Sequence, residues 1–331
     1  MTLYPWQQSQ WRILQETRQQ GRLPHAILLT GPQGLGKEEF ARYFAQSLLC
    51  EANGSNGEPC GQCRACLLYQ AGNHPDLALV SPLEGKKNIG VDQVREIGQY
   101  LALKAQYSGH RVVVLTPAET MNVNSANSLL KTLEEPSQGT VLVLVTHRPA
   151  QLPATIRSRC QEIRFGAVTP AVGAAWLTSR GIADSELLLA LADGAPLKAV
   201  RFADDNMIQA RLEWFQSLEA LAKQGVDPIE IAAKEVKSNP GNSVYWLYAW
   251  SIDMVRLKTC QQPPHLANRD IQSRLLNLAD RVSLKSLMLW LDRVQTALRE
   301  VEGNFNATLV LEGLLIQWQK MFAAPAPARP K

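Results

Sequence analysis

Residues 31–38 read Gly-Pro-Gln-Gly-Leu-Gly-Lys-Glu, a pattern able to hold phosphate. Glycines open the backbone so that successive amides can face one anion, a following helix N-terminus adds partial positive charge, and the lysine reaches the outer phosphates. Gly31, Gly34, Gly36 and Lys37 are therefore the candidate nucleotide-binding residues. The next position departs from the pattern. A Ser or Thr there would give its hydroxyl to Mg²⁺, whereas Glu38 sets a carboxylate beside anionic phosphates. The glycines and Lys37 favour nucleotide; Glu38 opposes it.

A second element of hydrolysis is also altered. Phosphate-loop hydrolases end a neighbouring strand in Asp-Glu, the Asp supporting Mg²⁺ and the Glu orienting the attacking water. Here the apolar run Val112 to Leu115 ends in Thr116-Pro117, which can do neither. Glu119 is the nearby carboxylate that could substitute, but it lies past the strand end, where the chain has turned. Losing the metal's partners and the base together predicts no hydrolysis by this chain. The competing reading is a slow ATPase, whose turnover Lys37→Ala would abolish.

Four of the six cysteines form one cluster, Cys50 and then Cys60-x-x-Cys63-x-x-Cys66. Without an export signal, such spacing favours a metal over disulfides. Two C-x-x-C steps bring thiolates within reach of one tetrahedral Zn²⁺, and Cys50 is the natural fourth ligand, with His74 as its rival. Four protein ligands leave no open position, so the zinc would be structural. Free thiols or a redox pair are the alternative. A nucleic-acid reader built on this module is a further one, weakened by having Arg64 alone as a basic residue between Cys60 and Cys66, with no aromatic to stack a base. Cys160 and Cys260 stand apart as ordinary core or surface thiols.

The elements that must position these groups alternate strand and helix through the first half, which predicts an α/β layer with a parallel sheet. Apolar runs predict strands at Ala26–Thr30, Leu77–Val80, Arg111–Leu115 and Val141–Val145. Helical spacing predicts helices over Lys37–Leu49 and Val91–Leu103. It also gives a stripe of Ala126, Leu129, Leu130 and Leu133, stopped by Pro136. After about Phe165 strand signals end, and from Pro170 onward the pattern is helical, with a break near Asp204 to Asn206. The dense apolar stretches Tyr245 to Trp250 and Leu287 to Leu291 suit helix packing, most of it internal. The Pro-rich stretch 323–331 reads as disordered.

Composition agrees with a folded chain of two or three domains: 331 residues, 46% hydrophobic and 19% charged. A formal charge of +4 permits contact with nucleic acid without pointing to it. The N-terminus lacks a basic start followed by an apolar stretch, and the longest apolar runs are too short for a bilayer, so a cytoplasmic location is expected.

The segment Lys131-Thr132-Leu133-Glu134-Glu135-Pro136, the strand to Val145 with Thr146-His147-Arg148-Pro149, and Ile156-Arg157-Ser158-Arg159-Cys160 together resemble the bacterial clamp-loader branch of AAA+ proteins. The four-cysteine insertion sits where that branch carries its zinc module. The lost Asp-Glu pair resembles a member that does not hydrolyse ATP, not the tau/gamma ATPase. The likeness has specific motifs over residues 1 to about 165; the helical remainder agrees in length and class.

The resemblance implies a RecA-like AAA+ domain over 1–165 with the zinc module at 50–66, a small helical lid over 166–206, an all-α collar domain over 207–322 that joins an oligomer, and the tail 323–331. It implies that Arg159 is an arginine finger completing the ATP site of an adjacent subunit, with Arg157 as the competitor. Thr146 matches a sensor position. Leu197 falls where active relatives carry a nucleotide-sensing Arg, or Lys198 if the register moves by one. The implied partners are tau/gamma-type ATPase subunits, a delta subunit, and, through the complex, a sliding clamp and primed DNA during replication.

Overall fold

The structure is a computed structural model describing residues 2–54, 56–107, 109–238, 240–303 and 305–323; of the tail 323–331 expected to be disordered, Ala323 instead ends the last helix and the rest lies outside the described residues. The chain forms two compact units. One runs to Val172 and includes Ala195–Lys198, and the other comprises Gly173–Gly194 and the residues from Ala199 onward.

The first unit is built on strands β1 (Ala26–Thr30), β2 (Leu77–Val80), β3 (Arg111–Leu115), β4 (Thr140–Val145) and β5 (Gln161–Arg164), with helices α1 (Gln8–Gln19), α2 (Lys37–Leu49), α3 (Arg64–Gln70), α4 (Val91–Ala102), α5 (Val123–Glu134) and the single turn α6 (Ala154–Arg157). The sheet has the order β2-β3-β4-β1-β5, and all its pairings are parallel. Every residue of β1, β3 and β4 is buried, as expected of strands covered on both faces, which read as continuous Val/Leu/Ile runs.

Alternate residues feed two cores. Ile27, Leu29, Val112, Val114 and Val143 join Trp11, Leu14, Phe40 and Phe44 of α1 and α2. Leu28, Val113, Leu115, Leu142 and Leu144 join Val94, Ile97, Leu129 and Leu133 of α4 and α5. The register sets Leu28 beside Leu144, and Leu144 beside Leu115, so the carboxyl ends of β1, β4 and β3 line up. In such open sheets that edge is where ligands are handled.

Four strands fall where the apolar runs predict them, but β5 was not foreseen. Its residues alternate exposed, exposed, buried, exposed, with Ile163 alone turned inward. An edge strand of this kind shows no apolar run; only pairing with β1 forms it.

The second unit is helical: α7 (Pro170–Ser179, continuing from the first unit), α8 (Ser185–Leu191), α9 (Pro196–Asp204), α10 (Met207–Ala222), α11 (Pro228–Ser238), α12 (Pro240–Thr259), α13 (Gln272–Asp280), α14 (Leu284–Glu302) and α15 (Ala307–Ala323). The expected break appears between α9 and α10, where Asn206 adopts a φ of 50°. Trp214, Trp246, Trp250, Trp290 and Trp318 fill the core. Three of these indoles find a partner: Trp290 Nε1 donates to Ser251 Oγ (2.7 Å), Trp318 Nε1 to the Leu218 carbonyl (3.0 Å) and Trp214 Nε1 to the Ser243 carbonyl (3.2 Å), whereas Trp250 Nε1 is buried without one among the described residues. Of the stretches singled out above, Trp246, Leu247, Trp250, Leu287 and Trp290 are buried, whereas Met288 and Leu289 are exposed.

Candidate functional site

The phosphate-type loop joins β1 to α2. Gly36 caps α2 with φ 75° and ψ 29°, a left-handed conformation that glycine adopts without steric cost. A side chain here would also collide with the Tyr4 ring, since an added Cβ would lie 2.6 Å from it. At Gly34 (φ 82°) an added Cβ would lie 2.9 Å from Lys198. Both glycines are thus demanded twice, by backbone and by close approach.

The hydrogen bonds that hold this loop use its carbonyls. Trp6 Nε1 and Gln7 Nε2 each donate to the Leu35 carbonyl at 3.0 Å, Gln7 Nε2 also to Gly36 at 2.8 Å, and the Leu197 amide to Gly34 at 3.1 Å. Lys37 Nζ donates to the Gly31 and Pro32 carbonyls, both at 2.6 Å. None of these bonds engages the amides of Gly34, Leu35, Gly36 or Lys37, so the anion-facing side of the cradle keeps its donors. These residues therefore fit a phosphate group.

The metal's partners do not fit. Glu38 turns along the helix to Arg42, whose Nη2 and Nε lie 2.8 and 3.0 Å from its Oε1. At the end of β3, Thr116 is buried. Glu119 follows in a short 3-10 turn, and its Oε1 accepts the His147 amide at 3.1 Å, which ties the carboxylate to the segment after β4. Thr146, which the resemblance matches to a sensor position, is fully buried, and its Oγ1 accepts the Arg148 amide at 3.1 Å, a local cap.

Lys37 is 2% exposed. Burial pulls its pKa down to about 8, against the opposing attraction of Glu119 and Glu39. The unfolded chain keeps this proton to about 10.5, so between about 8 and 10.5 unfolding takes up a proton and this residue makes stability rise with pH. Below that window the cost of burying the charge is present in full. By NMR, the Lys37 ε-methylene is expected to titrate near 8, ahead of the exposed lysines. A midpoint above 10 would mean that the ammonium is solvated.

Arg159 follows α6. Its Nη1 donates to the Thr155 carbonyl at 3.0 Å, and its Nη2 lies 2.7 Å from Glu134 Oε1. Its competitor Arg157 acts electrostatically on Glu162, whose carboxylate accepts from Arg164 (3.0 Å) and Thr30 Oγ1 (2.8 Å) and is held below the usual range chiefly by those bonds. Sequence reasoning gave no sign of Glu134 as the partner of Arg159, because the pair joins the end of α5 to a distant turn.

The four cysteines converge. The ligand atoms of Cys50, Cys60, Cys63 and Cys66 lie within 4.8 Å of one another, and Cys50 Sγ is 3.9 Å from Cys63 Sγ. A tetrahedral Zn²⁺ with bonds of about 2.3 Å sets its sulfurs about 3.8 Å apart, so the donor set fits. The amides of Cys60, Cys63 and Cys66 point at Sγ of Cys50, Cys60 and Cys63 at 3.3, 3.3 and 3.4 Å, which supports thiolate charge. Burial pushes Cys66 up to about 12, whereas the Gln62 and Cys63 amides draw Cys60 down to about 6. A dication is what would make all four thiolates at once. His74 stands outside this group, its Nδ1 accepting the Asp76 amide at 3.1 Å. Cys160 is the ordinary partly buried thiol expected, its pKa pushed up to about 12 by burial, and Cys260 is exposed.

The chain is similar to known proteins along most of its length. Residues 6–169 match the family described as DNA polymerase III, delta subunit, and residues 205–320 match the DNA polymerase III, delta subunit, C terminal family. The chain is 36% identical to the DNA polymerase III subunit delta′ of Pseudomonas aeruginosa, over 96% of this chain and 98% of that one. It is 34% identical to the DNA polymerase III subunit tau of Bacillus subtilis (strain 168), over 48% of this chain and 27% of tau. A solved gamma-subunit-related protein from Thermotoga maritima aligns over 95% of this chain and 99% of its own, at 17% identity and a TM-score of 0.47.

Proposed function

Because this chain belongs to the DNA polymerase III subunit delta′ family, we propose that it serves in the clamp loader as a stator that does not hydrolyse ATP itself and lends Arg159 to a neighbouring ATPase subunit. The observation that carries this reading is a contrast within one unit. The phosphate cradle and Lys37 are kept, while Glu38 is turned to Arg42 and the β3 end offers Thr116-Pro117 where a metal-holding carboxylate belongs. Arg159, by contrast, stands at the surface with its fork in solvent reach. A guanidinium supplied from outside stabilises charge developing on a transferring phosphoryl group and needs no metal of its own.

In this reading residues 1–165 are the AAA+ domain, 166–206 a lid and 207–322 a collar that joins tau/gamma-type and delta subunits. The assembly would open a sliding clamp and close it on primed DNA in the cytoplasm. Zinc at Cys50, Cys60, Cys63 and Cys66 would brace the first domain. A DNA-reading role for the cysteine module is disfavoured, since the Arg64 guanidinium already lies over the Tyr107 ring, 5.5 Å from its centroid.

One observation favours a weak ATPase instead: Glu119 keeps a buried Oε2 without a hydrogen-bond partner among the described residues, and its charge acts on Lys37. The isolated chain decides between the two. It is expected to show no ATP turnover above buffer, and Lys37→Ala should leave that baseline unchanged. Turnover that is lost in both Lys37→Ala and Glu119→Gln would overturn the stator reading.

A further inference from the structure

Glu134 is the last residue of α5. A carboxylate at a helix C-terminus opposes the helix dipole, so helix stability does not account for an acid there. Its contact does. Glu134 Oε1 lies 2.7 Å from Arg159 Nη2 while the Thr155 carbonyl takes Nη1 at 3.0 Å, so the two terminal nitrogens of the fork are both engaged within the subunit. Those are the nitrogens that would meet phosphate oxygens in a forked contact.

We propose that Glu134 is a positioning residue that holds Arg159 in the unassembled subunit and surrenders it to the phosphate of the neighbouring subunit's nucleotide on assembly. The inference rests on the reading of Arg159 as an arginine finger. The two side chains are 37% and 51% exposed, and exposed ion pairs shift equilibria by no more than about fivefold. Such a hold orders the fork, yet a more highly charged phosphate can displace it. Because Arg159 must leave one anion to meet another, the held state lowers the fraction of subunits ready to bind, and apparent affinity falls by that fraction.

The test is a double-mutant cycle in the reconstituted complex, with Glu134→Gln, Arg159→Ala and the double variant. The dissociation constant of this chain from the remaining subunits is read with a non-hydrolysable ATP analogue and again without nucleotide. Glu134→Gln is expected to tighten assembly two- to fivefold with the analogue only, and to have no effect in the Arg159→Ala background. Glu134→Asp, which keeps the charge, should resemble wild type. If Arg159→Ala weakens assembly or turnover while Glu134→Gln has no effect, or weakens it too, the holding role is wrong and the finger survives. If Arg159→Ala itself changes neither assembly nor turnover, the finger reading fails and this inference falls with it.

Discussion

Arg159→Ala is expected to lower the clamp- and DNA-stimulated ATP turnover of the reconstituted complex by tenfold or more, measured at subunit concentrations where the complex is fully formed. An arginine finger supplied in trans is worth about 10³–10⁵ in turnover at the site it serves. Only the site facing this subunit would lose its finger, so the loss for the whole complex is smaller than that range. Arg159→Lys keeps the charge and loses the fork, and should recover little of the rate. Arg157→Ala is the matched control, because the charge of Arg157 acts, weakly, on Glu162 of its own chain, and the variant should leave turnover near wild type. Isolated Arg159→Ala should melt like wild type, since among the described residues the ion pair it gives up is the exposed one to Glu134. Turnover unchanged in Arg159→Ala and reduced in Arg157→Ala would move the finger two residues. Turnover unchanged in both would leave a scaffold.

What the sequence makes legible is chemistry that is local along the chain. The glycines and Lys37 fall within one loop, and the three cysteines from 60 to 66 within two C-x-x-C steps, so spacing alone brings them together. The buried strands β1, β3 and β4 announce themselves as continuous apolar runs because both faces are covered. What stays hidden is local in space only. The β5 strand carries one buried side chain and exists through its partner β1. Trp6 and Gln7 reach the carbonyls of Leu35 and Gly36, and Lys198 packs on Gly34; none of these contacts leaves a periodic trace. Glu119 shows the limit from the other side. By sequence it is past the strand and turned away, yet the short turn after β3 brings its carboxylate back to the His147 amide. The direction of a side chain after a turn follows from backbone geometry that residue types do not specify.

Removing the metal is expected to unsettle the first unit more than any surface change. The cysteine module is anchored to that unit's core: Cys50 caps α2, Trp11 Nε1 donates to the Asn56 carbonyl at 3.1 Å, Ser47 Oγ to Gly57 at 2.8 Å, and Tyr69 Oη to Arg42 at 2.9 Å. Cys66, in the first turn of α3, is 1% exposed, so without a cation its thiol is a buried polar group, and the ordering entropy of the Gly- and Asn-rich loop before α3 is then unopposed. Cys66→Ser should therefore abolish binding of one Zn²⁺ per chain and cost about 3 kcal/mol, at the upper end of ordinary substitutions. For a unit of this size that is a fall in Tm of roughly 6–12 °C. No group assigned to ATP chemistry lies among the four ligands, so below its lowered melting temperature the variant should still support turnover once assembled. An unchanged Tm after chelation, with zinc shown to have left, would mean that the four thiols are held by the fold and that the metal has no structural part. Turnover lost at a temperature where the variant is fully folded would mean that the module does more than brace the domain.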